Sequence, residues 1–309
     1  TAQLAKIKSR FATIIKYSVL ISLTVIVILP MIPIFFGSFK TNYEFYSSSV
    51  WALPKSFLNF ENYRIAFTQG NMLLSFGNTL LIMVVSITIS VLIGSMTAYV
   101  LQRFRFRGRK AITFLFLFAA LLPTITLNIA IFSLMSWIGR NLGIQIINTR
   151  FAAIILFSGT DIITVYIFMQ FLKHIPLAID ESAIIDGASY FRIFFSIIMP
   201  LLVPAITTVV ILKFVAIYND FYIPMLYMPR SDLVVISTAL DNFRGPFGSQ
   251  WEVICAGQMI TIFPILVIFL SLQKYIYKGL LIGSVKEWCT TTRERKGLHE
   301  QSNRCSSPE

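Results

Sequence analysis

Six apolar stretches, each close to the length that crosses a bilayer, constrain this chain more than any other feature. A spanning helix takes about 20 apolar residues. Such segments run near 14–36, 73–101, 111–138, 151–172, 198–219 and 253–273. Apolar residues make up 56% of the 309, charged residues only 13%, and the mean hydropathy is +0.75. A soluble domain covers its core with about 25% charged residues, and this chain has too few. The pattern predicts an all-α integral membrane protein with six transmembrane helices. It excludes a soluble enzyme, a disordered chain and a secreted disulfide scaffold.

The first span is too long for the apolar region of a cleaved signal, and Phe36-Gly37-Ser38 makes a poor cleavage site. Thr1 points to a trimmed or renumbered start. The net charge of +12 is explained by loops rich in Lys and Arg rather than by nucleic acid. With the N-terminus inside, inner segments hold 18 Lys and Arg and outer loops hold seven. That asymmetry places both termini in the cytoplasm. In Arg103-Phe-Arg-Phe-Arg-Gly-Arg-Lys110, basic side chains are expected to snorkel to lipid headgroups and fix topology. Cys255, Cys289 and Cys305 form no CxxC pair, and His174 and His299 are the only histidines, which argues against a metal centre. The polar tail, 287–309, reads as disordered.

The long connection between spans four and five, 173–200, is patterned. Pro176 suits a helix start, and Asp180 and Glu181 lie where a helix dipole favours acids. Gly187 supplies a left-handed stop, and Ser189 caps a second helix running towards the membrane. The expected product is a short cytoplasmic helix, a sharp bend and a return to the bilayer, with Ile184, Ile185 and Ala188 free for contact. Such a face suits docking in a partner's groove, but an amphipathic connector lying on the bilayer has the same pattern. Glu181 and Asp186 are five positions apart and diverge around a helix, so they do not form an acid/base dyad.

These residues resemble a family. Glu181-Ser182-Ala183, three residues, then Gly187-Ala188, followed by Ile198-Met199-Pro200, is similar to the EAA loop of ATP-binding-cassette importer permeases. The flanks resemble the carbohydrate-uptake branch, in its maltose-permease-like second subunit. So do Tyr218-Asn219-Asp220-Phe221, Leu272-Gln-Lys-Tyr-Ile and Lys278-Gly-Leu-Leu-Ile-Gly-Ser-Val-Lys286. Departures are Ser182 for Ala, Met199 for Leu and Tyr218 for Trp.

The resemblance implies a transmembrane domain over 1–286 whose 173–200 loop contains a coupling helix. Glu181, Ala183, Ile184, Ile185, Asp186, Gly187 and Ala188 would lie at the joint with an ATPase, and Ile198 and Pro200 would set the return into span five. It also implies a homologous second permease, two ATPase subunits, an extracytoplasmic solute-binding protein and a bacterial inner or plasma membrane. This chain has no GxxxxGK[ST] phosphate loop, so it is expected to bind no cofactor and catalyse nothing. ATP and Mg would sit on the partner ATPases. The implied activity is import of a sugar or oligosaccharide.

Polar residues within spans are candidates for a translocation path: Asn128, Asp161, Lys213, Tyr218, Asn219 and Asp220. Asn78 suits an interhelical hydrogen bond, as does Asn128. Asp161 and Lys213, near mid-span in consecutive spans, suit a charge pair. Pro30, Pro33, Pro123, Pro204 and Pro264 mark expected kinks. Rival readings are the same machine moving another solute, or a proton-coupled secondary transporter using Asp161 and Lys213.

Overall fold

The computed structural model describes residues 2–159, 161–245 and 248–270. It is almost wholly helical. The N-terminal helices are α1 (Ala2–Ile28), α2 (Met31–Phe39), α3 (Asn42–Ser47) and α4 (Glu61–Gln69). Then come α5 (Met72–Arg103), α6 (Arg109–Leu121), α7 (Thr124–Leu142), α8 (Arg150–Ser158) and α9 (Ile162–Lys173). The 173–200 region contributes α10 (Leu177–Ile185), α11 (Tyr190–Ile193), a π-helical turn (Phe194–Ile198) and the first residues of α12 (Met199–Leu201). The chain continues through α13 (Val203–Asn219) and α14 (Tyr222–Tyr227), and α15 follows over Trp251–Leu270. Among the described residues, one departure from an all-α chain is a two-residue antiparallel ladder pairing Arg244 with Ser249 and Gly245 with Gly248.

Among the described residues, three helical stretches are long and apolar enough to cross a membrane: Thr13–Phe39, Met72–Arg103 and Trp251–Leu270. Two bent pairs also qualify, Arg150–Ser158 with Ile162–Lys173 and Tyr190–Leu201 with Val203–Asn219, the latter bent by 75°. The expected span at 111–138 is instead divided between α6 and α7. Leu122 is extended (ψ 130°) ahead of Pro123, as steric conflict with a following proline ring demands. Prolines 30, 123 and 204 stand at helix starts or breaks, and Pro33 lies in the first turn of α2, whereas α15 runs unbroken through Pro264. The described apolar side chains of α1, such as Ile14, Leu20 and Val27, are all exposed. A helix apolar all round and exposed all round is suited to lipid rather than water.

The described residues divide into two units, one from 2–80 with 224–267, the other from 81–223 with 268–270. In the first, Phe39 packs edge-on against Phe35, Phe57 and Phe60. Beside it the Lys40 ammonium is buried and donates to Ser48 Oγ and the Ser49 carbonyl. In the second, Phe168, Leu172, Ile193, Phe194, Ile198, Leu202 and Val209 form a continuous core with Ala183 of α10. The 173–200 loop is therefore built into that core rather than hung beneath it.

The segments at 272–276 and 278–286 and the tail at 287–309 lie outside the described residues.

Candidate functional site

The 173–200 loop is shaped by local chemistry. Pro176 is the residue before α10 rather than its first residue, with an extended ψ of 139°. At the other end Gly187 has φ +81°, a region where any Cβ is strained. The Ala188 amide donates to the Ala183 carbonyl and the Gly187 amide to that of Ile184. Those paired bonds close the last turn of a helix around a left-handed residue. Ser189 Oγ then accepts from the Arg192 amide at 3.4 Å and opens α11. The π-helical turn and a further bend at Leu202, next to Pro204, redirect the chain into α13.

Around this turn the side chains sort by burial. Glu181, Ile184, Ile185, Asp186 and Gly187 are exposed, Ala188 is half-buried, and Ala183 is buried. Ile185 is 85% exposed, and Tyr190 and Phe191 extend the uncovered apolar surface. Ile198 is fully buried in the core, while Pro200 stands exposed two residues later.

Asp180 departs from the expectation of a simple helix-terminus acid. It lies one turn before Ala183, on the same buried face. Its Oδ2 is 3.1 Å from Arg103 Nη2, and its Oδ1 accepts from the Tyr99 hydroxyl at 3.0 Å. Arg103 Nη2 also donates to the Ile175 carbonyl at 2.9 Å. Arg103 therefore turns inward instead of snorkelling, while Arg105, Arg107 and Lys110 of the same run are exposed. The buried face shared with Ala183 was a signal for Asp180, but nothing local in sequence named its partners.

The polar residues of the spans occupy different settings. Lys213 Nζ lies 3.3 Å from Asp161 Oδ2 and donates to the Gly159 carbonyl at 3.2 Å. Asp161 is not mid-helix: it caps α9, its Oδ1 accepting from the Thr164 amide at 2.9 Å. The break at Gly159 puts it there. Asn128 is half-buried on α7. Tyr218 is buried and stacks on Phe214. Asn219 is exposed and bonds back to the Val215 carbonyl. Asp220, half-buried, accepts from the Ile223 amide at the start of α14. Asn78 donates to the carbonyls of Asp232 and Val234. These two acceptors lie at the 3-10 turn Ser231–Leu233 and the residue after it. Among the described residues no three His, Cys, Asp or Glu side chains are grouped to hold a metal.

Long apolar helices, bent spans and a structured loop between them define a multi-pass membrane protein. Residues 90–281 match the model of the family described as binding-protein-dependent transport system inner membrane component, and the chain belongs to that family. The probable starch degradation products transport system permease protein AmyC of Thermoanaerobacterium thermosulfurigenes is 32% identical, over 86% of this chain and 94% of its own. The arabinooligosaccharides transport system permease protein AraQ of Halalkalibacterium halodurans is 29% identical, over 84% and 92%. A chain in the crystal structure of a bacterial ABC transporter that imports the acidic polysaccharide alginate is similar in fold. Its TM-score is 0.70 at 21% identity, covering 86% of this chain and 96% of that one.

Proposed function

We propose that this chain is one of a pair of permease subunits in an oligosaccharide importer of a bacterial inner membrane. ATP hydrolysed with Mg on two partner ATPase subunits drives it, and an extracytoplasmic binding protein supplies the sugar. The supporting observation is the turn at Gly187, which presents exposed Ile184 and Ile185 on a helix rooted in the core by Ala183. Membership of the family and relatives named for transport of arabinooligosaccharides and of starch degradation products support the substrate class.

On this reading the six spans are α1 with α2, α5, α6 with α7, α8 with α9, α11 to α13, and α15. The positive-inside count puts both termini in the cytoplasm. α10 and the turn that follows it dock in the ATPase through Ile184, Ile185 and Ala188, with Glu181 and Asp186 at the rim and Gly187 holding the bend. Ile198 and Pro200 pin the return. Closure of the ATPases then favours an outward-facing state through their differential contact with α10. A half-exposed carboxylate within a span is costly against lipid, which supports placing Asp161 and Lys213 beside a water-filled path. Asn128, Tyr218, Asn219 and Asp220 are further candidates for that path.

The test is reconstitution with the partner subunits in liposomes. Binding protein loaded with maltotriose, raffinose or arabinotriose is expected to stimulate ATP hydrolysis and sugar uptake, and Gly187→Pro or Glu181→Lys to abolish both while the complex still assembles. Uptake that continues without ATP and collapses with a proton uncoupler would instead establish a secondary transporter.

A further inference from the structure

We propose that Tyr99, Arg103 and Asp180 form a buried clamp that makes the end of α5 move with α10, so that Arg103 is a positioning residue for energy coupling. The inference rests on the docking role proposed for α10 and adds the route by which its movement enters the spans. Three groups converge from two segments that are far apart in sequence. The Arg103–Asp180 charges approach to 3.1 Å, with side chains only 10% and 7% exposed. Arg103 also holds the Ile175 carbonyl just ahead of α10. Tyr99, one turn earlier on α5, reaches the second Asp180 oxygen, while its ring packs on Phe194 of the π-helical turn and on Phe104. Phe104 in turn meets Tyr190 of α11 edge-on at 5.1 Å. α5 is thereby held on both sides of the Gly187 bend.

The chemistry suits a link that is pulled. Dispersion contacts forfeit much of their attraction once a gap of about 0.5–1 Å opens. A charge pair in a poorly hydrated setting falls off only as the inverse of distance. An apolar replacement of the pair therefore fills the space but does not resist separation, which separates transmission from mere stability.

The experiment uses the full complex in nanodiscs with its binding protein and, in turn, maltotriose, raffinose and arabinotriose. The readout is the ratio of stimulated to basal ATP hydrolysis, alongside the stoichiometry of the purified complex. Arg103→Met alone risks misassembly because it leaves Asp180 buried without its counter-ion. The double variant Arg103→Met with Asp180→Leu removes both charges and is expected to assemble fully. Its stimulation is expected to fall by about 5- to 150-fold, the span of typical coupling between sites. Arg103→Lys, which keeps the charge, is expected to recover part of it. A fully assembled double variant stimulated as strongly as the native complex overturns the clamp and leaves the proposed function standing. A native complex that none of the three sugars stimulates overturns the proposed function, and the clamp with it.

Discussion

Two ion pairs of nearly equal length lie within the same unit, and their surroundings give them different work. Arg103 and Asp180 meet at 3.1 Å with both side chains almost closed off. Lys213 and Asp161 meet at 3.3 Å with the lysine side chain 12% exposed and the carboxylate 47% exposed, so this pair is open on its acidic side. Breaking one side of a buried pair strands the other charge and costs about 3–5 kcal/mol. An open pair contributes about 0–1 kcal/mol and leaves its members able to change partner. Distance alone does not separate a fixed joint from an adaptable site. Enclosure does.

The largest expected effect follows from the closed pair. Asp180→Leu alone should lower the stability of the assembled permease by about 3–5 kcal/mol, measured by thermal unfolding of the purified complex, and adding Arg103→Met should restore most of it. A single variant as stable as the native chain would erase the contrast between the two pairs.

Gly187→Ala ranks next. A Cβ there meets nothing within 4 Å, so the cost is purely that of holding φ +81° with a side chain, about 1–2 kcal/mol. Sugar uptake should fall with it, because the angle between α10 and α11 depends on that turn. Uptake equal to the native chain would show that the loop tolerates a changed bend.

The open pair should behave in the opposite sense. Asp161→Asn keeps a side chain able to cap α9, and Lys213, 12% exposed, still donates to the Gly159 carbonyl, so the loss of stability should be smaller than that of Asp180→Leu. Uptake KM is expected to change by more than the basal ATP hydrolysis rate. A large loss of stability would place Asp161 with the structural pair instead.

Ser189→Ala should have the smallest effect. Its cap on Arg192 is long at 3.4 Å, which puts the loss near the low end for helix caps, about 0.5 kcal/mol. Proteolysis at the loop would check it.

What the sequence revealed divides along the same line. The bend at Gly187 was legible because Pro176, Gly187 and Ser189 are signals that act within a few residues of themselves. Three unbroken spans and two bent ones were legible for a similar reason, since a bilayer imposes a length on an apolar run, whereas the division of 111–138 at Leu122 was not. The clamp was not, because Tyr99 and Asp180 stand 81 positions apart and their pairing depends on how α5 ends. The basic run at 103–110 misled for Arg103. It lies in the last turn of α5, close enough to α10 to find a buried carboxylate, whereas Arg105 and Arg107 have left the helix. For Asn78 the sequence did not show the two carbonyls it reaches, since Asp232 and Val234 stand 154 and 156 positions away. Asp161 does lie midway along the bent pair α8 and α9, but hydropathy does not register that it stands at a helix start, where it caps α9.

The central claim is that the exposed face of α10 is the surface on which the ATPase bears. A photo-crosslinking residue at Ile185, in membranes holding the complete complex, tests it most directly, with the same probe at exposed Trp51 as the comparison. The account predicts that Ile185 captures the ATPase subunit and Trp51 does not. Capture of lipid alone from Ile185, with the ATPase present and bound, would contradict it.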